Sequence, residues 1–297
     1  MELTKKQFDI LSALAVADGK VTQRQLEQQC GHSLGTINKI MKEFTDLGYI
    51  KDGTITPSGI DVLEPYRAKR AIFIAAGFGS RLVPVTLNTP KPLVRVNGKR
   101  IIDTLIDACL AAGIDEIYIV RGYLAEQFDQ LLYKYPMIKF LENPSYNEAN
   151  NISSAMVARY LLQNAYVFES DLIISNPSII TKYHYSSDVL GIPKERTDDW
   201  VLTVDKDGNV AEEKVGGYNC YQMVGIYYWN AADGAKLAEH IKEAFLAPGG
   251  KERYWETVPN QAYKGQYKIH VRPCLDEDIV EIDTFRELKA IDKSYDV

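Results

Sequence analysis

Gly77-Phe78-Gly79-Ser80-Arg81, which follows a short apolar run from Ala71 to Ala76, and Thr89-Pro90-Lys91-Pro92-Leu93 just beyond it are the residues best placed to do chemistry. A glycine-rich turn leaving a buried strand lets backbone N–H groups come close to phosphate oxygens, and Arg81 and Lys91 are cations able to neutralise a polyphosphate. Two acidic pairs complement them. In Val167-Phe168-Glu169-Ser170-Asp171 the two-residue period of a strand puts Glu169 and Asp171 on one face. In Val280-Glu281-Ile282-Asp283 the same spacing aligns Glu281 with Asp283 while Ile282 turns toward a core. Hard carboxylate oxygens suit Mg²⁺, so Asp171, Glu281 and Asp283 are expected to hold that ion against a triphosphate. Asp283 has a structural alternative as a helix cap, but Thr284 with Glu287 three residues later already makes a capping box.

The string from Gly77 to Leu93 resembles the signature of the nucleoside-triphosphate transferases, a family that includes the sugar-phosphate nucleotidyltransferases: a strand, G-x-G-x-R, a proline, then P-K-P-L. The likeness runs from about Arg70 to Lys293 and leaves the N-terminal stretch outside. It implies that Ala76, Gly77, Gly79, Ser80 and Arg81 hold nucleotide phosphates, and that Lys91 touches the α-phosphate or the incoming acceptor phosphate. An aspartate is common in the family where Glu169 stands, so Glu169 is expected to act outside direct contact with the ion.

Shorter pieces resemble more narrowly the bacterial CTP:phosphocholine cytidylyltransferases: Asn150-Asn151 before a helix, Glu195 to Trp200, Tyr254-Trp255-Glu256, and Glu281 to Thr284. That likeness implies CTP and phosphocholine as substrates, Mg²⁺ as cofactor, and Asn150 and Asn151 near the nucleotide. Trp200, Tyr254 and Trp255, with Glu256 beside them, are then expected to surround the choline. A quaternary ammonium donates no N–H hydrogen bond and is held by ring faces and nearby negative charge. Turn formation and helix capping remain the plain alternative for the two asparagines, and core packing for the aromatics. The implied reaction is in-line attack by a phosphate oxygen on the α-phosphorus of CTP, with pyrophosphate leaving and no covalent enzyme intermediate. A sugar-1-phosphate nucleotidyltransferase shares the loop, the lysine and the carboxylates. A ligand-sensing transcriptional regulator with a transferase-like domain is the reading of another class, against which the intact carboxylates argue.

The elements that must position these residues follow from periodicity. Apolar runs at Ala71 to Ala76, Ile117 to Val120, Tyr166 to Phe168 and Met223 to Tyr228, with helical stretches such as Ile101 to Ala112 between the early ones, predict an α/β domain. Its sheet should be Rossmann-like, mixed and mainly parallel, flanked by helices, with ligands at the carboxyl ends of the strands. Residues 1–66 read as a separate winged helix-turn-helix-like domain and residues 67–297 as the nucleotidyltransferase domain. Thr4, Thr22 and Ser33 can cap three short helices, the third presenting Ile37, Ile40, Met41, Phe44 and Leu47 on one face. Asp52-Gly53 then marks a hairpin turn. Seven Lys/Arg against nine Asp/Glu in residues 1–66 give no positive surface, which leaves DNA binding open beside a role in regulation or a homodimer.

The whole chain has 297 residues, a net charge of −6 and 46% hydrophobic residues, a balance that suits a globular protein with cation sites rather than one coating nucleic acid or membrane. Lys5 and Lys6 before an apolar stretch imitate a secretion signal, but Asp9 and Ser12 interrupt it, and Phe8, Leu11, Leu14 and Ala15 fit an amphipathic helix. The cysteines at 30, 109, 220 and 274 are far apart and form no metal or disulfide framework, so a cytoplasmic setting is expected.

Overall fold

A computed structural model describes residues 2–17 and 19–296 and divides the chain into two compact units. The first holds the chain through Arg67 together with Lys182–Tyr185; the second begins at Ala68 and holds the remainder.

In the first unit, helices α1 (Lys5–Val16), α2 (Gln23–Cys30) and α3 (Leu34–Asp46) start at Thr4, Thr22 and Ser33, whose hydroxyls accept the otherwise orphaned N–H groups of their first turns. Strands β1 (Ile50–Lys51) and β2 (Thr54–Ile55) pair antiparallel across Asp52-Gly53, both at positive φ as a tight hairpin turn requires. Helix α4 (Pro57–Leu63) closes the unit. Its core gathers Phe8, Leu11, Leu14, Leu26, Ile37, Phe44 and Leu63. Leu47 departs from the expected buried face: α3 ends at Asp46, so Leu47 is the C-cap and stays exposed. The boundary expected after residue 66 also overlooked a second visit by the chain. Tyr183 joins this core, and Tyr185 stacks on Tyr66 with centroids 6.1 Å apart and tilts against Phe8 at 5.5 Å.

The second unit runs β3 (Arg70–Ile74), a small hairpin of β4 (Arg95–Val96) and β5 (Lys99–Arg100), then α5 (Ile101–Ala111), β6 (Glu116–Arg121) and β7 (Lys139–Glu142). It continues with α6 (Ile152–Ala158), β8 (Ala165–Glu169), β9 (Leu172–Ile174), β10 (Asp188–Val204) and β11 (Val210–Trp229). The last elements are α7 (Ala231–Leu246), β12 (His270–Pro273), β13 (Ile279–Glu281) and α8 (Phe285–Ile291). Seven strands form one sheet in the order β12-β10-β11-β8-β3-β6-β7. The pairs β3–β8, β3–β6, β6–β7 and β10–β12 are parallel, while β11 runs antiparallel to both neighbours, the mixed and mainly parallel sheet expected of this α/β fold.

Both faces are covered, and the strand period shows how. Ala71, Phe73, Ile117, Ile119 and Phe168 pack with Ile102, Leu105 and Ile106 of α5. Ile72, Ile74, Val120 and Val167 point the other way, toward Ala155 of α6 and Leu237 and Ile241 of α7. Each Val, Leu, Ile or Phe among them contributes roughly 1.5–3 kcal/mol when fully buried. Among the described residues no helix is long and apolar enough to cross a membrane.

Candidate active site

Site construction begins where β3 ends. Gly79 has φ +62, and a Cβ there would lie 2.9 Å from the Lys91 Cβ, so only glycine lets the loop fold down onto that lysine. The Thr86 hydroxyl fastens the turn by donating to the Gly79 carbonyl at 2.8 Å. Lys91 is thereby held in a buried position. Its Nζ lies 2.8 Å from Asp171 Oδ2 and 3.2 Å from Asp283 Oδ1, while Arg81 Nη1 lies 2.7 Å from Asp283 Oδ2.

A second pairing brings the distant acids together. Strand β13 runs antiparallel to β9 with Glu281 opposite Leu172, and Ile282 N–H donates to the Asp171 carbonyl at 3.0 Å. Ile282 is buried as anticipated. Thr284 and Glu287 form the capping box of α8, so the Asp283 carboxylate is left to face the two cations.

Asp171, Glu281 and Asp283 present carboxylate oxygens within 4.8 Å of one another. Asp171 Oδ1 is buried without a hydrogen-bond partner, an acceptor aimed into the cluster. An oxygen-only set with one unsatisfied buried acceptor fits a hard divalent cation such as Mg²⁺. Glu169 stands outside this trio.

Electrostatics agree with the crowding. Burial, then the charges of Asp171, Asp283 and Asp199, push the Glu281 carboxyl up to about 8. Burial works against the Lys91 ammonium, yet Asp171 and Asp283 outweigh it and hold its pKa above the ordinary value. Glu169 is raised well above the usual carboxylate range by burial first and then by Glu256, with which it shares a hydrogen bond; Glu256 is raised too, again chiefly by burial.

Two pockets meet at this centre. One is lined by the loop from Ala76 to Arg81, with Lys91, Asn150 and Asn151, the residues expected around a nucleotide. Sequence reasoning missed Tyr146, Asn143, Ser153 and Ser154 on its far wall. Phe78 and Tyr146 have ring centroids 5.5 Å apart, and the Asn143 amide donates to both serine hydroxyls, at 2.9 and 3.0 Å. Aromatic faces beside fixed polar groups suit a planar base.

The other pocket is acidic. Glu169, Asp171, Asp199, Glu213, Glu256, Glu281 and Asp283 line it, with Arg81 as the cation among its walls and Trp200 and Tyr254 as its aromatic side chains. The rings of Trp200 and Tyr254 meet edge to face, 6.4 Å apart. Trp255 does not join them, which corrects the three-ring enclosure expected from sequence. Its side chain is fully buried, packed edge-on to Tyr227 and Trp229 at 5.1 and 6.5 Å. A neighbouring-residue pattern cannot tell which ring turns inward; here the larger apolar ring took the core.

Trp255 instead braces the site. Its backbone N–H donates to Asn151 Oδ1 at 2.9 Å and its indole Nε1 to Glu169 Oε1 at 3.1 Å. The Asn151 amide then bridges Glu169 and Glu256, 3.2 Å from an oxygen of each, rather than capping α6. Asn150 donates to the Glu252 carbonyl at 3.3 Å and accepts from the Asn151 N–H at 2.7 Å. Glu213, unmarked in sequence, receives the side-chain amides of Asn260 and Gln261.

A family model described as nucleotidyl transferase matches residues 70–244, and one described as MarR family matches residues 2–54. A 2-aminoethylphosphonate cytidylyltransferase of Lancefieldella rimae is 37% identical, covering 76% of this chain and 92% of that protein. The choline-phosphate cytidylyltransferase of Streptococcus pneumoniae is 30% identical over 75% of this chain and 97% of its own length. The solved structure of CTP:phosphocholine cytidylyltransferase from the same species superposes with a TM-score of 0.70 at 30% identity, covering 77% of this chain and 99% of that one.

Proposed function

Since the chain belongs to the nucleotidyl transferase family, we propose that it transfers a cytidylyl group from CTP to a phosphate or phosphonate oxygen of a small cationic amine and releases pyrophosphate. The observation that carries this reading is the shared wall between the two pockets: Arg81, Asn151, Glu169, Asp171 and Tyr254 line both. A nucleotide in the first and an acceptor in the second would meet beside Lys91, Asp171 and Asp283. Both relatives named above act on acceptors that join a phosphorus oxyacid to an amine. An acidic pocket supports such an acceptor and opposes a sugar phosphate, which brings anionic charge with no cationic group of its own.

Within this reading the loop amides from Gly77 to Ser80 and the Arg81 guanidinium bind the triphosphate. Lys91, poised between Asp171 and Asp283, neutralises the oxygens of the attacking and reacting phosphates. Mg²⁺, held by Asp171 and Asp283 with Glu281 beside them, would stabilise charge on the departing pyrophosphate. No Ser, Cys or His nucleophile is needed, because positioning and electrostatics carry the displacement.

For the first unit, which has the winged-helix architecture of its family match, we propose a regulatory or dimerising role in preference to DNA binding, given its acidic balance. The four cysteines are free, in keeping with the cytoplasmic setting we propose.

The test is pyrophosphate release over a grid of CTP, UTP and dTTP against phosphocholine, 2-aminoethylphosphonate and glucose 1-phosphate. Turnover restricted to CTP with an amine is expected; preferred use of glucose 1-phosphate with any nucleotide would replace this reading with the sugar-phosphate one.

A further inference from the structure

Beyond the Asp171, Glu281 and Asp283 group, the acidic pocket holds a second set of carboxyl groups, Glu169, Glu213 and Glu256, which accept from neutral amides and an indole and, between Glu169 and Glu256, share a hydrogen bond. Glu213 is 6% exposed and Glu256 5%, so each keeps only a small part of its hydration. Asn151 and Trp255 donate to Glu169, Asn151 to Glu256, and Asn260 and Gln261 to Glu213. Gathering buried carboxyl groups around neutral amides favours their protonated form when the pocket is empty and a bound cation when it is filled, because each amide offsets only part of a lost hydration shell.

The chemistry of a cation that suits this site follows from what surrounds it. Carboxylate oxygens are directional acceptors and reward a group that carries N–H donors. A trimethylammonium has none. It would add no donor to these oxygens and would depend on ring faces. The pocket has two aromatic side chains for that purpose, Trp200 and Tyr254, and Tyr254 is 51% exposed, while the third expected ring, Trp255, is spent in the core.

We propose that Glu169, Glu213 and Glu256 form the seat for a primary ammonium on the acceptor, and that this seat selects an –NH₃⁺ acceptor over its trimethylated counterpart. The inference rests on the cytidylyl-transfer reading and narrows it. Glu213 is the part of the seat that neither motif nor spacing marked, and it reaches the pocket from the long strand β11.

A matched pair of acceptors isolates the ammonium: 2-aminoethylphosphonate and its N,N,N-trimethyl derivative, identical at the phosphonate end. With CTP and the full chain, kcat/KM for the primary amine is expected to exceed that for the trimethyl compound by at least about tenfold, as loss of a buried charge-assisted hydrogen bond predicts. Glu213→Gln and Glu256→Gln should each raise KM for the primary amine and narrow the ratio, while KM for CTP stays where it was. Calorimetric binding of the two compounds to the same proteins gives a readout independent of turnover. If CTP is not consumed but the primary amine binds more tightly, and less so in the glutamine variants, the seat stands and the transfer reading falls. Equal use or equal binding of the two compounds by the wild type overturns the seat, as does an unchanged ratio in both folded variants.

Discussion

Asp283 stands one residue before the N-cap of a helix, yet its side chain is turned to Lys91 and Arg81, because Thr284 and Glu287 do the capping. That division of labour was legible in the spacing alone. Asp171→Asn or Asp283→Asn is expected to lower kcat by about 100-fold or more while melting near the wild-type temperature, since each removes a carboxylate proposed to hold the divalent cation that offsets phosphate charge. Pyrophosphate release within a fewfold of wild type at saturating Mg²⁺ would remove that residue from the reacting centre. Trp255 carries the opposite lesson. Its place beside Tyr254 suggested a ligand contact, and only the packing against Tyr227 and Trp229 shows the ring turned inward. Trp255→Ala should therefore cost about 3–5 kcal/mol of unfolding free energy by denaturant titration, as core aromatic truncations do. A stable Trp255→Ala protein with a selective acceptor defect would restore the enclosing role.

The elements set how near those residues come. The string from Gly77 to Leu93 could be read because its chemistry is contiguous: strand end, turn and lysine lie within one short loop, where Gly79 must be glycine to pass under Lys91. The acidic pocket was less legible because β8, β10, β11, the segment around Tyr254 and β13 all contribute to it from distant parts of the chain, and register, not spacing, brings them together. Glu213 sits in a polar run of β11 that reads as an ordinary solvated stretch. Gly225, farther along the same strand, has φ +67, and a Cβ there would meet the Glu169 Cγ at 2.8 Å. Gly225→Ala is expected to displace Glu169 and strain the backbone by about 1–3 kcal/mol. Steady-state kinetics should show a raised acceptor KM with CTP use largely kept; a rise confined to CTP would contradict the part proposed for Glu169 in seating the ammonium.

For the molecule as a whole, the acidic centre ties stability to pH. Glu281 is pushed up to about 8 from its ordinary 4.5, chiefly by burial, so the folded chain binds more protons than the unfolded one across that interval and stability falls as pH rises through it. Mg²⁺ should reverse the trend, and the gain in Tm on adding it should widen from about pH 6 to about pH 8.5. Glu281→Gln should flatten the metal-free profile; an unchanged slope would exclude Glu281 as its source. The division into two units makes another prediction. Tyr183 and Tyr185 belong to the first unit although the chain reaches them long after leaving it, a return that no local pattern announces. Removing residues 1–67 alone strips Tyr185 of Phe8 and Tyr66, and Tyr183 of the core it belongs to. Residues 68–297 carrying Tyr183→Ser and Tyr185→Ser should stay dispersed and release pyrophosphate within severalfold of the full chain; a folded but inactive product would assign the first unit a part in turnover. The common wall of the two pockets has a consequence for inhibition. Because Arg81, Asn151, Glu169, Asp171 and Tyr254 serve both, two weak fragments, one in each cavity, are neighbours rather than strangers. A short tether between a cytidine-like and an amine-bearing fragment turns the second binding event into an intramolecular one, so the linked compound gains from effective concentration what neither half possesses.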